Sequence, residues 1–252
     1  MHIAVAGADE LVGPHVVEAA RGRGHTVVAL APSTGVDLLD EAGLSAALEG
    51  VDVVVDVSNS ASLDEEPARR FFTGAAANLQ RVGAERGVRH IVTLSVVGID
   101  DTGFGYFRAK VDHERAAGSG PVPATIVRAT HFHEFPGQLV GRTRDGDHAT
   151  VFDLRVQTVA ATAVAAALVE VAEGPAQGRT PDIAGPEPAE VLDLARAFVD
   201  YFDLRLELRT DDHTVTGIAE NGLLPRPGAT ILGPTYAEWL HSAEAAALVS
   251  DG

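Results

Sequence analysis

The sequence predicts an α/β fold, a doubly wound parallel sheet with helices on both faces and a small covering region towards its C-terminal end. Three observations carry this. Strand-like and helix-like segments alternate through the first 130 residues. The third strand-like run, "VDVVVDVS", is almost continuous valine, as a strand covered on both faces requires. The first strand-like run passes through a loop bounded by Gly7 and Gly13 into an amphipathic stretch.

Taken in order, "HIAVAG" is the first strand, and "LVGPHVVEAARGRG" is a helix that ends in glycine. "HTVVAL" is the second strand and "EAGLSAALEG" a short helix. After the valine-rich third strand, "EPARRFFTGAAANLQRVGAERG" reads as a long helix and "RHIVTLSV" as the fourth strand. "GYFRAKVDHERAAGSG" is helical, and "ATIVRAT" is the fifth strand. Past this point the pattern loosens. "VQTVAATAVAAALVEVAEG" reads as an alanine-rich helix, "TPDIAGPEP" as a short strand and turn, and "AEVLDLARAFVDYF" as another helix. The tail is rich in Gly and Pro before "YAEWLHSAEAA" ends it helically. No repeat or long linker divides the chain, so one domain over 1–252 is expected, with a core over 1–130 and the remaining strands and covering part over 131–252.

The length suffices to bury a full core. No run approaches the length of a membrane span, and the N-terminus opens directly in a strand-like segment, so a cytoplasmic protein is expected. The formal charge is −17, from 36 acids against 19 bases. Such a surface repels nucleic acid and anionic membranes, which leaves a small molecule as the expected partner of a monomer or homodimer. The absence of cysteine excludes disulfides, thiolate metal sites and cysteine nucleophiles. Of the 19 bases, all but Lys110 are arginine. With abundant Ala and Gly, this points to a GC-rich, bacterial genome whose codon bias moves Lys toward Arg. A lysine kept under that bias is singled out.

Lys110 lies four residues after Tyr106, so the two share one helix face a turn apart. Ser95 ends the strand that precedes this helix, and ligands of open α/β sheets bind at the carboxyl ends of strands. Asn78 lies in the long helix before that strand. The segment "HFHEF" carries His131, His133 and Glu134, but two histidines without a further ligand cluster do not make a metal site, and none is expected.

The motifs "GVDLLD", "DVSNS", "LSVVG", "GYFRAK", "TIVRAT.F.EF", "AGPE" and "EWL", in this order, resemble the short-chain dehydrogenase/reductase superfamily in its atypical, NmrA-like NAD(P)H-binding branch. The resemblance implies a Rossmann-like fold with a substrate-covering C-terminal region, and an oxidoreductase that uses NAD or NADP. It makes Tyr106 the general acid/base and Lys110 the cation that lowers its pKa, since a tyrosine otherwise titrates near about 10. Ser95 would hold the substrate carbonyl oxygen and Asn78 a proton-relay water. The cofactor would meet Gly7, Glu10, Leu11, Val12 and Gly13 in the loop, then Ser33, Thr34, Asp37, Ser58 and Asn59, with Lys110 on the ribose. Val96, Thr130, His131 and Phe132 would line the substrate pocket. Ser33 and Thr34 stand where an acid selects NAD or an arginine NADP, and the sequence has neither there.

The loop departs from the family's Gly-x-x-Gly-x-x-Gly, because Glu10 takes the middle position and Asp9 precedes it. Asp9 as N-cap, with Glu10 in the first helical turn, would supply the anion that a helix N-terminus favours and displace a pyrophosphate. Three readings follow. The first is an NAD(P)-dependent oxidoreductase acting on a carbonyl or alcohol. The second is a non-redox isomerase, cyclase or dehydratase, of the kind secondary metabolism uses, that has lost dinucleotide binding. The third is an NmrA-like regulatory or binding protein.

Overall fold

A computed structural model describes residues 1–100, 102–152, 154–211, 218 and 222–250. The first half alternates as the sequence predicts. It runs β1 (His2–Ala6), α1 (Gly13–Gly22), β2 (Thr26–Leu30), a 3₁₀ turn (Pro32–Thr34), α2 (Glu41–Ala47), β3 (Val53–Asp56) and α3 (Glu65–Arg86). Next come β4 (His90–Val96), α4 (Gly105–Gly118) and β5 (Ala124–Ala129). The second half adds α5 (Glu134–Thr143), β6 (His148–Phe152), β7 (Arg155–Val156), α6 (Ala161–Glu173), β8 (Gly178–Arg179) and β9 (Ile183–Ala184). It closes with β10 (Ala189–Glu190), α7 (Val191–Tyr201), β11 (Glu207–Asp211), β12 (Thr230–Ile231), α8 (Tyr236–Trp239) and α9 (Ala243–Ser250).

The central sheet has the order β2-β1-β3-β4-β5-β9-β12, with β8 also paired to β5, and every pairing is parallel. Because the pleat alternates, β1 sends Ile3 and Val5 to one face, with Val53 and Val55 of β3, against Val16 of α1 and Val164 and Leu168 of α6. Ala4, Ala6 and Val54 face the other way, onto Leu44 of α2 and Leu79 and Val82 of α3. All four residues of β3 are therefore buried, which explains its unbroken apolar run. The chain order reverses between β1 and β3, so the crevice beyond their carboxyl ends is the switch point at which such sheets bind ligands.

A third apolar cluster joins α5, α7 and α9 to β6 and β7 and reaches Phe107 on α4. It roofs that crevice. Two elements of this half differ from the expected pattern. The alanine-rich helix starts at Ala161, because Arg155 and Val156 pair antiparallel with β10 and Val159 bridges to Phe132. Long-range pairing outweighs the alanine-rich helix propensity there. The sequence pattern also gave no signal for the parallel pair of β6 and β11. No helix among the described residues is long and apolar enough to cross a membrane.

Candidate active site

A cavity of about 850 Å³ opens at the carboxyl ends of β1, β3, β4 and β5, roofed by α4, α5 and β6. The β1–α1 loop forms one wall. Gly7 has φ +79°, and a Cβ on it would lie 2.6 Å from the Ser58 Cα; a Cβ on Gly13 would lie 2.2 Å from the Gly7 carbonyl oxygen. The two glycines thus let the loop fold back on itself and press against the start of the β3–α3 connection. The Glu10 N–H donates to the Gly7 carbonyl (3.0 Å) and the Gly13 N–H to the Glu10 carbonyl (2.9 Å). The Leu11 and Val12 N–H groups meet no acceptor among the described residues.

The two loop acids do not cap the helix. The residue before α1 is Val12, with no side-chain cap, and no acid lies in the first turn. The tight turns at Glu10 and Gly13 delay the helix, so Asp9 is carried past its end and across to the end of β2. There its carboxylate accepts the Ser33 hydroxyl (2.7 Å) and the Ser33 N–H (3.2 Å). An acid thus does stand beside the end of β2, supplied from a different loop. Glu10 turns into the cavity wall, and burial, then the Asp9 charge, raises its pKa. Thr34 bonds within its own turn, donating to the carbonyls of Ala29 and Ala31. Asp37 accepts the Leu39 N–H at 2.8 Å.

Tyr106, on the first turn of α4, donates its hydroxyl to Asn59 Oδ1 at 2.6 Å inside the cavity. Burial, then the Glu10 charge, pushes this phenol up to about 12. The expected lowering by Lys110 is therefore not what the fold produces. Lys110 is buried and donates instead to the Leu94 carbonyl (3.1 Å) and to His113 Nδ1 (2.9 Å), 4.5 Å over the Phe72 ring. Burial pushes its ammonium down to about 8, against the opposing pull of Asp56 and Glu114. Ser95 lines the cavity with a buried hydroxyl that has no partner among the described residues.

Asn78 is not part of this constellation. Its amide donates to the Leu38 carbonyl at 3.0 Å, tying α3 to the loop before α2, and it is absent from the cavity wall. The physical reason is direction: the α3 side chain that packs on Lys110 and Tyr106 is Phe72, while Asn78, six residues on, turns to the loop before α2. Val96, Thr130, His131 and Phe132 do line the cavity, with the His131 ring pushed down to about 4 by burial. His133 points elsewhere, its Nδ1 bonded to the Thr158 hydroxyl (2.8 Å) and its Nε2 to the Pro234 carbonyl (3.1 Å).

Sequence reasoning missed the residues behind Lys110. His113 and Asp56 form a buried pair (Nε2 to Oδ2, 3.0 Å), and Asp56 Oδ1 accepts both the hydroxyl (2.6 Å) and the N–H (3.0 Å) of Ser58. The signals were present: an acid ending an all-valine strand, and a histidine one helical turn after the sole lysine. Also missed were the apolar walls Phe104, Phe107, Phe135, Phe152, Leu154 and Leu223.

A sequence model of an NAD(P)H-binding family matches residues 7–175. No curated protein matches the sequence. Among solved structures, the chain is similar to a dTDP-4-dehydrorhamnose reductase from Clostridium acetobutylicum, with TM-score 0.78, 14% identity, and 99% of this chain and 100% of that one covered. It is similar to a short-chain dehydrogenase/reductase superfamily protein from Agrobacterium tumefaciens with bound NAD (TM-score 0.71, 19% identity, 100% and 98% covered). It is also similar to a UDP-N-acetylglucosamine 4-epimerase from Bacillus cereus (TM-score 0.74, 16% identity, 100% and 97% covered).

Proposed function

Because the chain belongs to this NAD(P)H-binding family, within the short-chain dehydrogenase/reductase superfamily, we propose that it is an NAD(P)-dependent oxidoreductase acting on a carbonyl or alcohol group of a small molecule. The observation that carries this reading is the Tyr106 hydroxyl inside a largely apolar cavity at the switch point of the sheet. The unpaired Leu11 and Val12 N–H groups fit a pyrophosphate at the start of α1, and Ser58 and Asn59 fit the cofactor side of the crevice. A bound nicotinamide would supply or accept the hydride. The chain supplies the proton. Tyr106, held protonated, donates to the carbonyl oxygen as negative charge develops there, and the unpartnered Ser95 hydroxyl is a second donor for the same oxygen. A phenol that resists ionisation suits carbonyl reduction better than alcohol oxidation, which needs the phenolate as base.

One observation favours a second reading. Glu10 places a carboxyl in the cavity wall, where its charge reaches Tyr106 and where a pyrophosphate would lie. Without a dinucleotide, Glu10 and Tyr106 make a base and an acid for a non-redox proton transfer on a carbonyl compound. Titration with NADH and NADPH, read by fluorescence, decides between the two. The oxidoreductase reading expects binding by the unmodified protein, tightened at least about tenfold in Glu10→Gly by relief of ~1.4 kcal/mol of like-charge repulsion. Binding gained only by the glycine variant would overturn that reading. Tight binding by the unmodified protein would overturn the cofactor-free one.

A further inference from the structure

Behind the cavity runs a continuous hydrogen-bonded chain, from Lys110 Nζ to His113 Nδ1 (2.9 Å), from His113 Nε2 to Asp56 Oδ2 (3.0 Å), and from Asp56 Oδ1 to the Ser58 hydroxyl (2.6 Å). Every member is buried, and its two ends, Lys110 and Ser58, both line the cavity. The donors and acceptors alternate in one consistent way. The ammonium donates to Nδ1, the Nε2–H donates to the carboxylate, and the Ser58 hydroxyl donates to the other carboxylate oxygen. His113 is clamped in this orientation by stacking on Phe72, with centroids 4.9 Å apart and planes 22° apart.

We propose that Asp56, His113 and Lys110 form a proton relay that lets Lys110 exchange its proton at the cavity wall, with His113 and Asp56 as positioning residues. The proposal rests on reading this cavity as the active site. In the relay step, an Nζ–H bond of Lys110 breaks with its electron pair kept on nitrogen, and an Nδ1–H bond forms on His113. Burial and the Lys110 charge lower the His113 pKa, and the transfer itself removes that charge. The Asp56 carboxylate holds the imidazolium, and a neutral amine faces the cavity, able to accept a proton from a bound hydroxyl. A lysine enclosed by carbon alone would only be a fixed or a silent charge. This one has a second proton site 2.9 Å away.

The groups facing Lys110 are few. Asp56 on β3 and Glu114 on α4 act on it as anions, and Glu114 is itself paired with Arg128 of β5 (2.6 Å). The neighbouring β4 offers the Leu94 carbonyl, α3 the Phe72 ring, and α4 the His113 ring and Tyr106 one turn back.

Lys110 is the sole lysine, so protein grown with ¹³Cε,¹⁵Nζ-lysine and ¹⁵N-histidine reports the relay directly by NMR, with no ligand present. In the unmodified protein, the His113 Nδ1 shift should move through the same pH range as the Lys110 signal. Asp56→Asn should lower the Lys110 midpoint by about one pH unit, a tenfold loss of proton affinity. In His113→Gln the amide can still accept from Lys110 but cannot hold its proton, so the Lys110 amine protons should exchange with water more slowly at constant fold. A His113 Nδ1 shift that stays flat across the Lys110 titration overturns the relay, even if Asp56→Asn does not fold. So does an equal Lys110 midpoint in the unmodified protein and Asp56→Asn. Failure of NADH and NADPH to bind, with the co-titration intact, overturns the oxidoreductase reading and leaves the relay standing.

Discussion

Tyr106 enters the cavity as a phenol pushed up to about 12, so it stays protonated throughout the neutral range. The proton is therefore on hand for donation at neutral pH, though held more tightly than by an ordinary phenol, and the phenolate base is scarcely populated. Tyr106→Phe keeps the ring in its edge contact with Phe72, whose centroid is 5.7 Å away, and removes only the hydroxyl. Turnover should fall by about 10²- to 10⁴-fold, the usual worth of a positioned general acid, with the thermal midpoint little changed. Unaltered turnover would remove Tyr106 from the chemistry. The sequence made the Tyr106 and Lys110 pair visible through its spacing and the rarity of lysine. It did not show that Lys110 turns inward, because that depends on Leu94 and His113 offering better acceptors than Tyr106 does.

The β1–α1 loop shows how one element converts glycine positions into site geometry. At Gly7 an added Cβ meets backbone at 2.6 Å, and φ is +79°. At Gly24 the φ is +81°, but nothing lies within 4 Å. Gly24→Ala should therefore cost about 1–2 kcal/mol from backbone strain alone. Gly7→Ala should cost about 2–5 kcal/mol, because overpacking against Ser58 is added. Urea denaturation midpoints of the two variants check the difference, and equal midpoints would contradict the packing argument. The same loop explains why the helix N-cap expected of Asp9 is not formed. A cap is a local rule, whereas the Asp9 bonds to Ser33 join positions 24 residues apart. At β7 the conflict has the same form, with pairing to β10 winning over helix propensity.

Across the whole molecule, the C-terminal helices close the roof over a buried acid. Glu134, at the start of α5, is 2% exposed, and its Oε2 has no partner among the described residues; the same holds for the Tyr236 hydroxyl on α8. Burial, with a smaller push from Glu244, raises this carboxyl to about 7. The folded state therefore holds the Glu134 proton more tightly than the unfolded chain does. Its contribution is fully present below the unfolded value of 4.5 and is lost as pH rises through about 7. The loss should reach about 3 kcal/mol by pH 8. Glu134→Gln should lack this loss, so its stability should rise relative to the unmodified protein between pH 5 and pH 8, as denaturant melts of both at pH 5, 6, 7 and 8 would show. Parallel curves for the two proteins would rule out Glu134 as the titrating group.

By itself the sequence determined the alternating architecture through β5, because each strand and helix there carries its own periodicity and its own stop. It also determined which residue types were available for chemistry, since Tyr106, Lys110 and Ser95 stand at fixed offsets from strand ends. Only the tertiary structure decided what those residues do. It brought Asp56 from β3 under His113 of α4, swung Asp9 to Ser33, set Glu10 into the cavity wall and tied Asn78 to the loop before α2. The physical reason is that protonation and pairing depend on what lies within a few ångströms. For buried groups those neighbours come from distant parts of the chain.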